Sequence, residues 1–245
     1  MKEIRKVDRI RATVRVPGSK SHTQRVLIAA ALARGESYLR NPLVSEDTEL
    51  LMEALRALGA DILTTSGDFI VRGVGGKWKA PDKPLFLGNN GTALRFLTAV
   101  TSLAEGAVVL DGTERLRQRP VGPLLEMLRS QGISCRCLRE EGCPPVEITG
   151  GRLAGGPVSL KKMDSSQYVS ALLLAAPFAK GDTEVILPER AVSLPYLDMT
   201  VQVMEHFGIT GIERAARRFF VPAGQSYGPR KVLIDGDASS ASYFF

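Results

Sequence analysis

The 245-residue sequence has few aromatic residues, few cysteines and only two histidines. Aromatic residues make up 6% of the chain, so the core has to be built from Leu, Val, Ile and Ala. The spacing of Cys135, Cys137 and Cys143 fits no common zinc pattern, and His22 and His206 lie elsewhere in the sequence. We therefore expect no metal site, and reduced thiols of minor structural importance in a cytoplasmic protein.

Long apolar runs and basic clusters are also missing. The longest apolar runs, at 26–33 and 171–177, are far shorter than the roughly 20 residues that a membrane-spanning helix needs. The net charge is +6, but no run of Lys and Arg is longer than two. A nucleic-acid surface would need basic clusters interleaved with aromatic residues, so we expect neither a membrane nor a nucleic-acid partner. Several basic residues lie in Gly- and Ser-rich turns, which favours an anionic small-molecule substrate.

What the sequence does contain is an internal repeat. A small polar turn leads into an Ala- and Leu-rich segment that stops at a glycine. A short extended stretch and an amphipathic segment with helical spacing follow, and the latter ends at another glycine. We interpret each repeat as β-α-β-α-β-β. The apolar segments are residues 19–35, 89–106 and 165–181, and the amphipathic segments are residues 46–59, 121–132 and 194–208.

The two helices of each repeat differ in polarity. The first is apolar on nearly every side, which predicts a buried helix, whereas the second has one polar face and should lie outside. Three such repeats around a pseudo-threefold axis bury three parallel helices, so that their N-termini point the same way. Aligned N-termini present free N–H groups and partial positive charge to an anion. The predicted fold class is therefore α/β (α+β), a pseudo-threefold domain of three repeats.

Polar side chains cluster where these helices begin. Any one of the turns alone is typical of a helix N-cap. Three such turns, with a lysine and an arginine at the first and glycines at the second, favour a shared anion site. The candidates are Lys20, Ser21 and Arg25 in the first turn, Asn89, Gly91 and Thr92 in the second, and Ser165, Ser166 and Gln167 in the third.

Two further segments precede outer helices. Residues 115–119 hold three arginines, and Arg119 stands directly before Pro120, where a helix is expected to begin. A guanidinium at a turn suits bidentate binding of phosphate or carboxylate, and three solvated arginines are the alternative. Ser193 and Tyr196 open the third outer helix. Tyr196 either packs in the core or contacts a ring-shaped substrate.

Six motifs in order resemble those of the 3-phosphoshikimate 1-carboxyvinyltransferase (EPSP synthase) family: PGSKSHTQR, LGNNGTALRFL, RLRQRPVG, DSSQYVSALLLAAP, SLPYLDMT and DGDASSASYF. The resemblance runs from about residue 16 to the last residue. It implies the enolpyruvyl transferase fold, an inside-out α/β barrel with two domains of three β-α-β-α-β-β units. Residues 15–230 would then form one domain, and residues 1–14 would belong to a second, missing domain. Residues 231–245 would begin that second domain, so the chain is expected to be an N-terminal fragment.

The resemblance also implies an activity. The family transfers the enolpyruvyl group of phosphoenolpyruvate to the 5-hydroxyl of shikimate 3-phosphate and releases phosphate, in aromatic amino acid biosynthesis. It uses no metal or organic cofactor. The expected partners are these two small-molecule substrates, the second domain in cis or in trans, and no further subunit. Because the family's acid and base carboxylates belong to the second domain, we expect negligible turnover from this chain alone.

Residue roles follow from the same resemblance. Lys20, Arg119 and Gln167 would be the catalytic residues, and Tyr196 would pack on the shikimate ring. Shikimate 3-phosphate would be bound by Lys20, Ser21, Arg25, Ser165, Ser166, Gln167, Ser193 and Tyr196. Phosphoenolpyruvate would be bound by Lys20, Asn89, Gly91, Thr92, Arg119 and Gln167.

Two alternatives stay open at this point. One is a non-catalytic half of a split enzyme that binds shikimate 3-phosphate. The other is the sister family that transfers enolpyruvyl to UDP-N-acetylglucosamine, which usually has Lys-Asn at the first turn and a reactive cysteine before its Arg-Pro motif. This chain has Lys20-Ser21 and no cysteine at 113–119, which disfavours the sister family. Asn90 and Phe96 depart from the resemblance, since Ala or Ser and Pro are common there, and Asn90 borders the site of the inhibitor glyphosate.

Overall fold

The computed structural model describes Arg9 and residues 11–244. The expected assignment of residues 1–14 therefore lies mostly outside the described residues. The helices are α1 Lys20–Leu32, α2 Glu46–Ala57, α3 Gly91–Val100, α4 Glu114–Arg117, α5 Gly122–Ser130, α6 Ser166–Ala175, α7 Pro195–His206 and α8 Ala238–Ala241. The strands are β1 Arg34–Arg40, β2 Asp61–Thr65, β3 Asp68–Val74, β4 Leu85–Phe86, β5 Ala107–Asp111, β6 Ser134–Cys137, β7 Val146–Thr149, β8 Gly156–Ser159, β9 Thr183–Ile186, β10 Glu213–Ala215, β11 Arg218–Val221 and β12 Lys231–Leu233.

The strands form three separate four-stranded sheets of the same topology. Their orders are β12-β1-β3-β2, β4-β5-β7-β6 and β8-β9-β11-β10. In each sheet the first pair is parallel and the other two pairs are antiparallel. A parallel pair needs a crossover, and a buried helix provides it in the second and third sheets: α3 between β4 and β5, and α6 between β8 and β9. The three-repeat fold expected from the sequence is confirmed, although the sheets do not join into a closed barrel.

The first sheet takes its leading strand from the far end of the described chain. Within the described residues no strand precedes α1, so the leading strand of the first repeat is not supplied by the segment directly before that helix. Instead β12 pairs in parallel with β1, with Tyr38 opposite Lys231 and Arg40 opposite Leu233. Strand β12 follows the domain boundary expected at residue 230, which stays a prediction. The physical reason for the pairing is that β1 would otherwise expose an unpaired edge.

The first helix of each repeat lies in the core. In α1 every residue from Thr23 to Leu32 is buried, as is every residue of α3 except Thr92. In α6 all residues but Gln167 are buried. The outer helices α2, α5 and α7 bury one face each. This arrangement confirms the inner and outer helices predicted from polarity, and it leaves the N-terminal turn as the accessible part of each inner helix.

Other sequence expectations concern membranes and metals. Within the described residues, no helix has the length and apolar character that crossing a bilayer requires. The same part of the chain holds no group of three or more His, Cys, Asp or Glu side chains that could hold a metal ion. Cys135, Cys137 and Cys143 are free thiols, and Cys135 is buried.

Gly73 tests how tightly β3 packs on the end of α1. A Cβ atom there would lie 2.3 Å from both the Ala30 and the Ala33 carbonyl oxygens. We predict that Gly73→Ala lowers the free energy of unfolding by about 2 kcal/mol, because backbone atoms cannot move aside cheaply. Urea denaturation measures this. The control is Gly151→Ala, whose Cβ would meet only the Ile133 side chain at 3.6 Å and should change stability by less than about 0.5 kcal/mol. Equal effects of the two substitutions would contradict this packing.

Candidate active site

The beginnings of the inner helices meet on one face of the domain. At the start of α1, Lys20 forms an ion pair with Asp47 in the first turn of α2. Asn90, which caps α3, donates from Nδ2 to the Asp47 carbonyl oxygen at 2.7 Å. Arg25 on α1 donates to Ser170 on α6 at 3.3 Å. Direct contacts thus join the N-terminal halves of α1, α2, α3 and α6. The repeats predicted this convergence for the inner helices α1, α3 and α6.

A cleft of about 230 Å³ lies among the starts of α1, α6 and α7. Of the eight residues expected to bind shikimate 3-phosphate, the cleft is lined by all except Lys20, which pairs with Asp47 instead. Asp164 also lines it and was not among the predicted ligands. The lining residues are Ser21, Arg25, Asp164, Ser165, Ser166, Gln167, Ser193 and Tyr196.

Arg25 provides the positive charge of this cleft. It is only 1% exposed, and it donates to Thr200 Oγ1 at 2.8 Å and to the Ser21 carbonyl oxygen at 3.0 Å, besides Ser170. Its guanidinium carbon lies 5.0 Å from the centroid of the Phe96 ring and 5.6 Å from that of Tyr196. Burial lowers the pKa of Arg25 to about 10, so the side chain stays charged at neutral pH.

The partners of Arg25 are all uncharged. Hydroxyl groups, one carbonyl and two aromatic rings surround it, and no carboxylate in the described part of the chain forms an ion pair with it. A buried charge is costly unless it is paired. An arginine in this situation, facing a cleft lined with serine hydroxyls, is suited to an anion that brings its own hydrogen-bond acceptors.

The start of α7 completes the wall of the cleft. Ser193 has φ 57°, in the left-handed region that non-glycine residues seldom adopt. Tyr196 is 40% exposed. The sequence left open whether Tyr196 packs in the core or faces a ligand, and the structure places it at the cleft beside Arg25.

A second group of predicted residues surrounds Arg119. Its Nη1 donates to the Asn89 carbonyl oxygen at 3.4 Å. A Cβ at residue 91 would lie 2.5 Å from the same nitrogen, so only glycine lets the guanidinium rest on the first turn of α3. Asn89 is exposed, and the cap of α3 is the next residue, Asn90, which accepts from Thr92 N at 3.2 Å and Ala93 N at 2.9 Å.

Gln167 connects this group to the cleft. Its Nε2 donates to Thr92 Oγ1 at 2.9 Å, and its Oε1 accepts from Arg95 Nη1 at 2.6 Å. Burial lowers the pKa of Arg95, and the neighbouring Arg119 lowers it further. Arg95 was not among the site residues predicted from the sequence. A signal was available, because aligning residue 19 with residue 89 places Arg95 at the same repeat position as Arg25.

The three arginines before α5 have different environments. Arg117 donates to both carboxylate oxygens of Asp111, at 2.8 and 2.7 Å, and to Glu114. Arg119 has no carboxylate partner among the described residues. The alternative of three solvated arginines is therefore wrong for Arg117, which holds the turn in place, whereas Arg119 lies against Gly91 with its charge unpaired within the described residues.

Comparison with known proteins agrees with this geometry. The family described as EPSP synthase (3-phosphoshikimate 1-carboxyvinyltransferase) matches residues 4–245. The chain belongs to this family. It is 42% identical over 242 residues to the 3-phosphoshikimate 1-carboxyvinyltransferase of Photobacterium profundum, covering 97% of this chain and 56% of that protein. It is 43% identical over 251 residues to the chloroplastic enzyme of Petunia hybrida, covering 97% of this chain and 48% of that one.

Solved structures give the same assignment. The EPSP synthase from Acinetobacter baumannii matches with a TM-score of 0.84 and 31% identity, covering 94% of this chain and 51% of that chain. The enolpyruvyl transferase NikO from Streptomyces tendae, at 22% identity and a TM-score of 0.68, shows the shared fold alone. The EPSP synthase family member described here thus spans about half the length of the relatives it matches.

Arg117 gives a pH-dependent test of the turn before Arg119. Its hydrogen bonds, together with the Gly112 N–H, hold the pKa of Asp111 below its ordinary value, against the effect of burial. A lowered native pKa contributes stability that is present above the unfolded pKa of about 4 and is lost as the pH falls below it. We predict that Arg117→Gln destabilises the chain at neutral pH and that the difference disappears in acid. Urea midpoints at several pH values measure it.

The control for that experiment is Arg136→Gln, which removes an exposed pair with Glu147. Exposed pairs contribute little, so its urea midpoint should stay near that of the unmodified chain at every pH. A constant difference for Arg117→Gln across the pH range would contradict the role of Asp111.

Proposed function

We propose that this chain is the shikimate 3-phosphate-binding half of an EPSP synthase. In the complete reaction, the 5-hydroxyl of shikimate 3-phosphate attacks C2 of phosphoenolpyruvate after protonation at C3, and phosphate leaves. The observation that carries the proposal is Arg25, a buried cation with uncharged partners at the inner wall of a serine-lined cleft. A phosphate monoester supplies the missing negative charge and accepts hydrogen bonds from Ser21, Ser165 and Ser166.

Phosphoenolpyruvate is assigned to the neighbouring group around Arg119. The guanidinium rests on Gly91 and has no carboxylate partner in the described residues, so it is free to bind a phosphate or carboxylate. Gln167 lines the cleft and also contacts Thr92, so it stands between the two proposed ligands. Lys20 would reach either ligand only by leaving Asp47.

Proton transfer needs an acid and a base as well as cations. Asp164 lines the cleft, but its carboxylate pairs with Lys162 at 3.0 Å. We therefore assign the acid and base to the part of the family's length that this chain does not span. The non-catalytic half considered above would bind through the same cleft. The UDP-N-acetylglucosamine alternative finds no support in the relatives described above, which carry the shikimate name. The cytoplasmic location stays a prediction.

Calorimetric titration of the chain with shikimate 3-phosphate tests the first ligand. We expect saturable binding that Arg25→Lys weakens by about tenfold or more, because a lysine cannot keep the same fork of hydrogen bonds. Ser21→Ala, a change at a partly exposed position, should weaken binding several-fold without affecting folding. Arg136→Lys, at an exposed residue, is the control and should bind like the unmodified chain. Absence of binding at millimolar ligand would overturn the proposal.

Gly91→Ala tests the second ligand. The added methyl group would displace the Arg119 guanidinium, the flexible end of a side chain, so stability should change little. With shikimate 3-phosphate saturating, we predict an affinity for phosphoenolpyruvate about tenfold lower, while the affinity for shikimate 3-phosphate changes less than about twofold. Gly151→Ala, far less crowded, serves as the control. Unchanged phosphoenolpyruvate binding by Gly91→Ala would place that ligand elsewhere.

A further inference from the structure

Arg95 lies behind the cleft, at the point where three segments of the site come together. It is 5% exposed and does not line the cleft. Besides Gln167, it donates from Nη2 to the Pro120 carbonyl oxygen at 2.9 Å and from Nη1 to the Gly91 carbonyl oxygen at 3.4 Å. Its guanidinium carbon lies 5.3 Å from the centroid of the Tyr168 ring. One buried side chain thus contacts α3, α6 and the residue that follows Arg119.

The chemistry of the guanidinium decides which way the Gln167 amide points. An amide has a donor end and an acceptor end of nearly equal shape. Arginine has five donors and no acceptor, so the end of Gln167 that faces Arg95 at 2.6 Å has to be the oxygen. The Nε2 group then lies on the other side, where one hydrogen is donated to Thr92 and the second has no acceptor among the residues that the structure describes.

The contact with Pro120 adds a second constraint. Arg119 carries the guanidinium proposed to bind phosphoenolpyruvate. The next residue in the chain is Pro120, whose carbonyl oxygen accepts the hydrogen bond from Arg95. Within the described part of the chain, the side chain of Arg119 itself has a single long hydrogen bond, to the Asn89 carbonyl oxygen at 3.4 Å. The position of this turn relative to Gln167 is therefore set in part by Arg95, which contacts both.

We propose that Arg95 is a positioning residue for the phosphoenolpyruvate subsite: it fixes the Gln167 amide with the donor end toward the ligand and keeps the Arg119–Pro120 turn beside it. This inference rests on the proposed function. It assigns Arg95 no contact with substrate, because the side chain is buried and does not line the cleft. Nη1 and Nη2 donate to Gln167, Gly91 and Pro120, and Nε, which has no partner among the described residues, is buried as well. The inference predicts that a substitution of Arg95 changes the affinities for phosphoenolpyruvate and shikimate 3-phosphate to different extents.

The test is a double-mutant cycle in the 245-residue chain. Arg95→Lys keeps the charge, but one ammonium group cannot contact Gln167 and Pro120 in the same fork. Its control is Arg56→Lys, because Arg56, an exposed arginine, also donates two hydrogen bonds, to the Ile62 carbonyl oxygen at 3.1 and 2.8 Å, away from the cleft. Each is measured alone and together with Gln167→Ala, by titration with shikimate 3-phosphate and then with phosphoenolpyruvate.

We expect Arg95→Lys to lower the affinity for phosphoenolpyruvate about tenfold and that for shikimate 3-phosphate less than about threefold. In the Gln167→Ala background, Arg95→Lys should lower the affinity for phosphoenolpyruvate less than about threefold. The reason is that substitutions of residues that act through one another do not have additive effects. The side-chain amide resonance of Gln167, identified by its loss in Gln167→Ala, should shift in Arg95→Lys and stay in place in Arg56→Lys.

Two results would overturn the inference. An equal loss of phosphoenolpyruvate affinity with and without Gln167 would show that Arg95 acts independently of it. If Arg95→Lys lowered the affinities for both ligands equally and also lowered the unfolding temperature, the role of Arg95 would be merely structural. If the unmodified chain binds neither ligand, the proposed function fails, whereas the Gln167 amide resonance still reports whether Arg95 orients it.

Discussion

Arg25 holds a positive charge inside the protein, and the arrangement of the three repeats determines what that charge can meet. Three of its five N–H donors bond to Ser21 on its own helix, to Ser170 on α6 and to Thr200 on α7, while Phe96 on α3 covers one side of the guanidinium. Four helices therefore fix its position. Neutral partners satisfy its hydrogen bonds without cancelling its charge, so the cleft in front of it retains an attraction for anions.

The same principle separates the arginines near the site. Arg117 is neutralised by Asp111 and Glu114 and serves the fold, whereas Arg119 and Arg25 have no such partner within the described residues. Arg95 is between these cases, since it is buried and bonded only to neutral oxygens. Charge pairing, more than position in a motif, distinguishes the arginines that hold the structure from those available to a ligand.

The chain belongs to the EPSP synthase family and spans about half the length of its relatives, and seven of the eight residues expected to bind shikimate 3-phosphate line one cleft. The residues assigned to shikimate 3-phosphate come from the first and third repeats, and those assigned to phosphoenolpyruvate come mainly from the second. Gln167 belongs to both groups. The division follows from the pseudo-threefold arrangement, which brings the beginnings of three inner helices together without making them equivalent.

Local sequence patterns determined a large part of this picture. The repeats, the buried and exposed helices and the polar turns at their beginnings all follow from periodicity, helix caps and glycine stops, which depend on neighbouring residues. The tertiary structure decided the rest: that β12 completes the first sheet, that Asn90 donates to the Asp47 carbonyl oxygen, that Lys20 faces Asp47, and that Arg95 holds Gln167. Each of these depends on two segments far apart in the chain. A local sequence pattern does not specify which distant strand will pair with an exposed strand edge, or which distant side chain will pair with a charge.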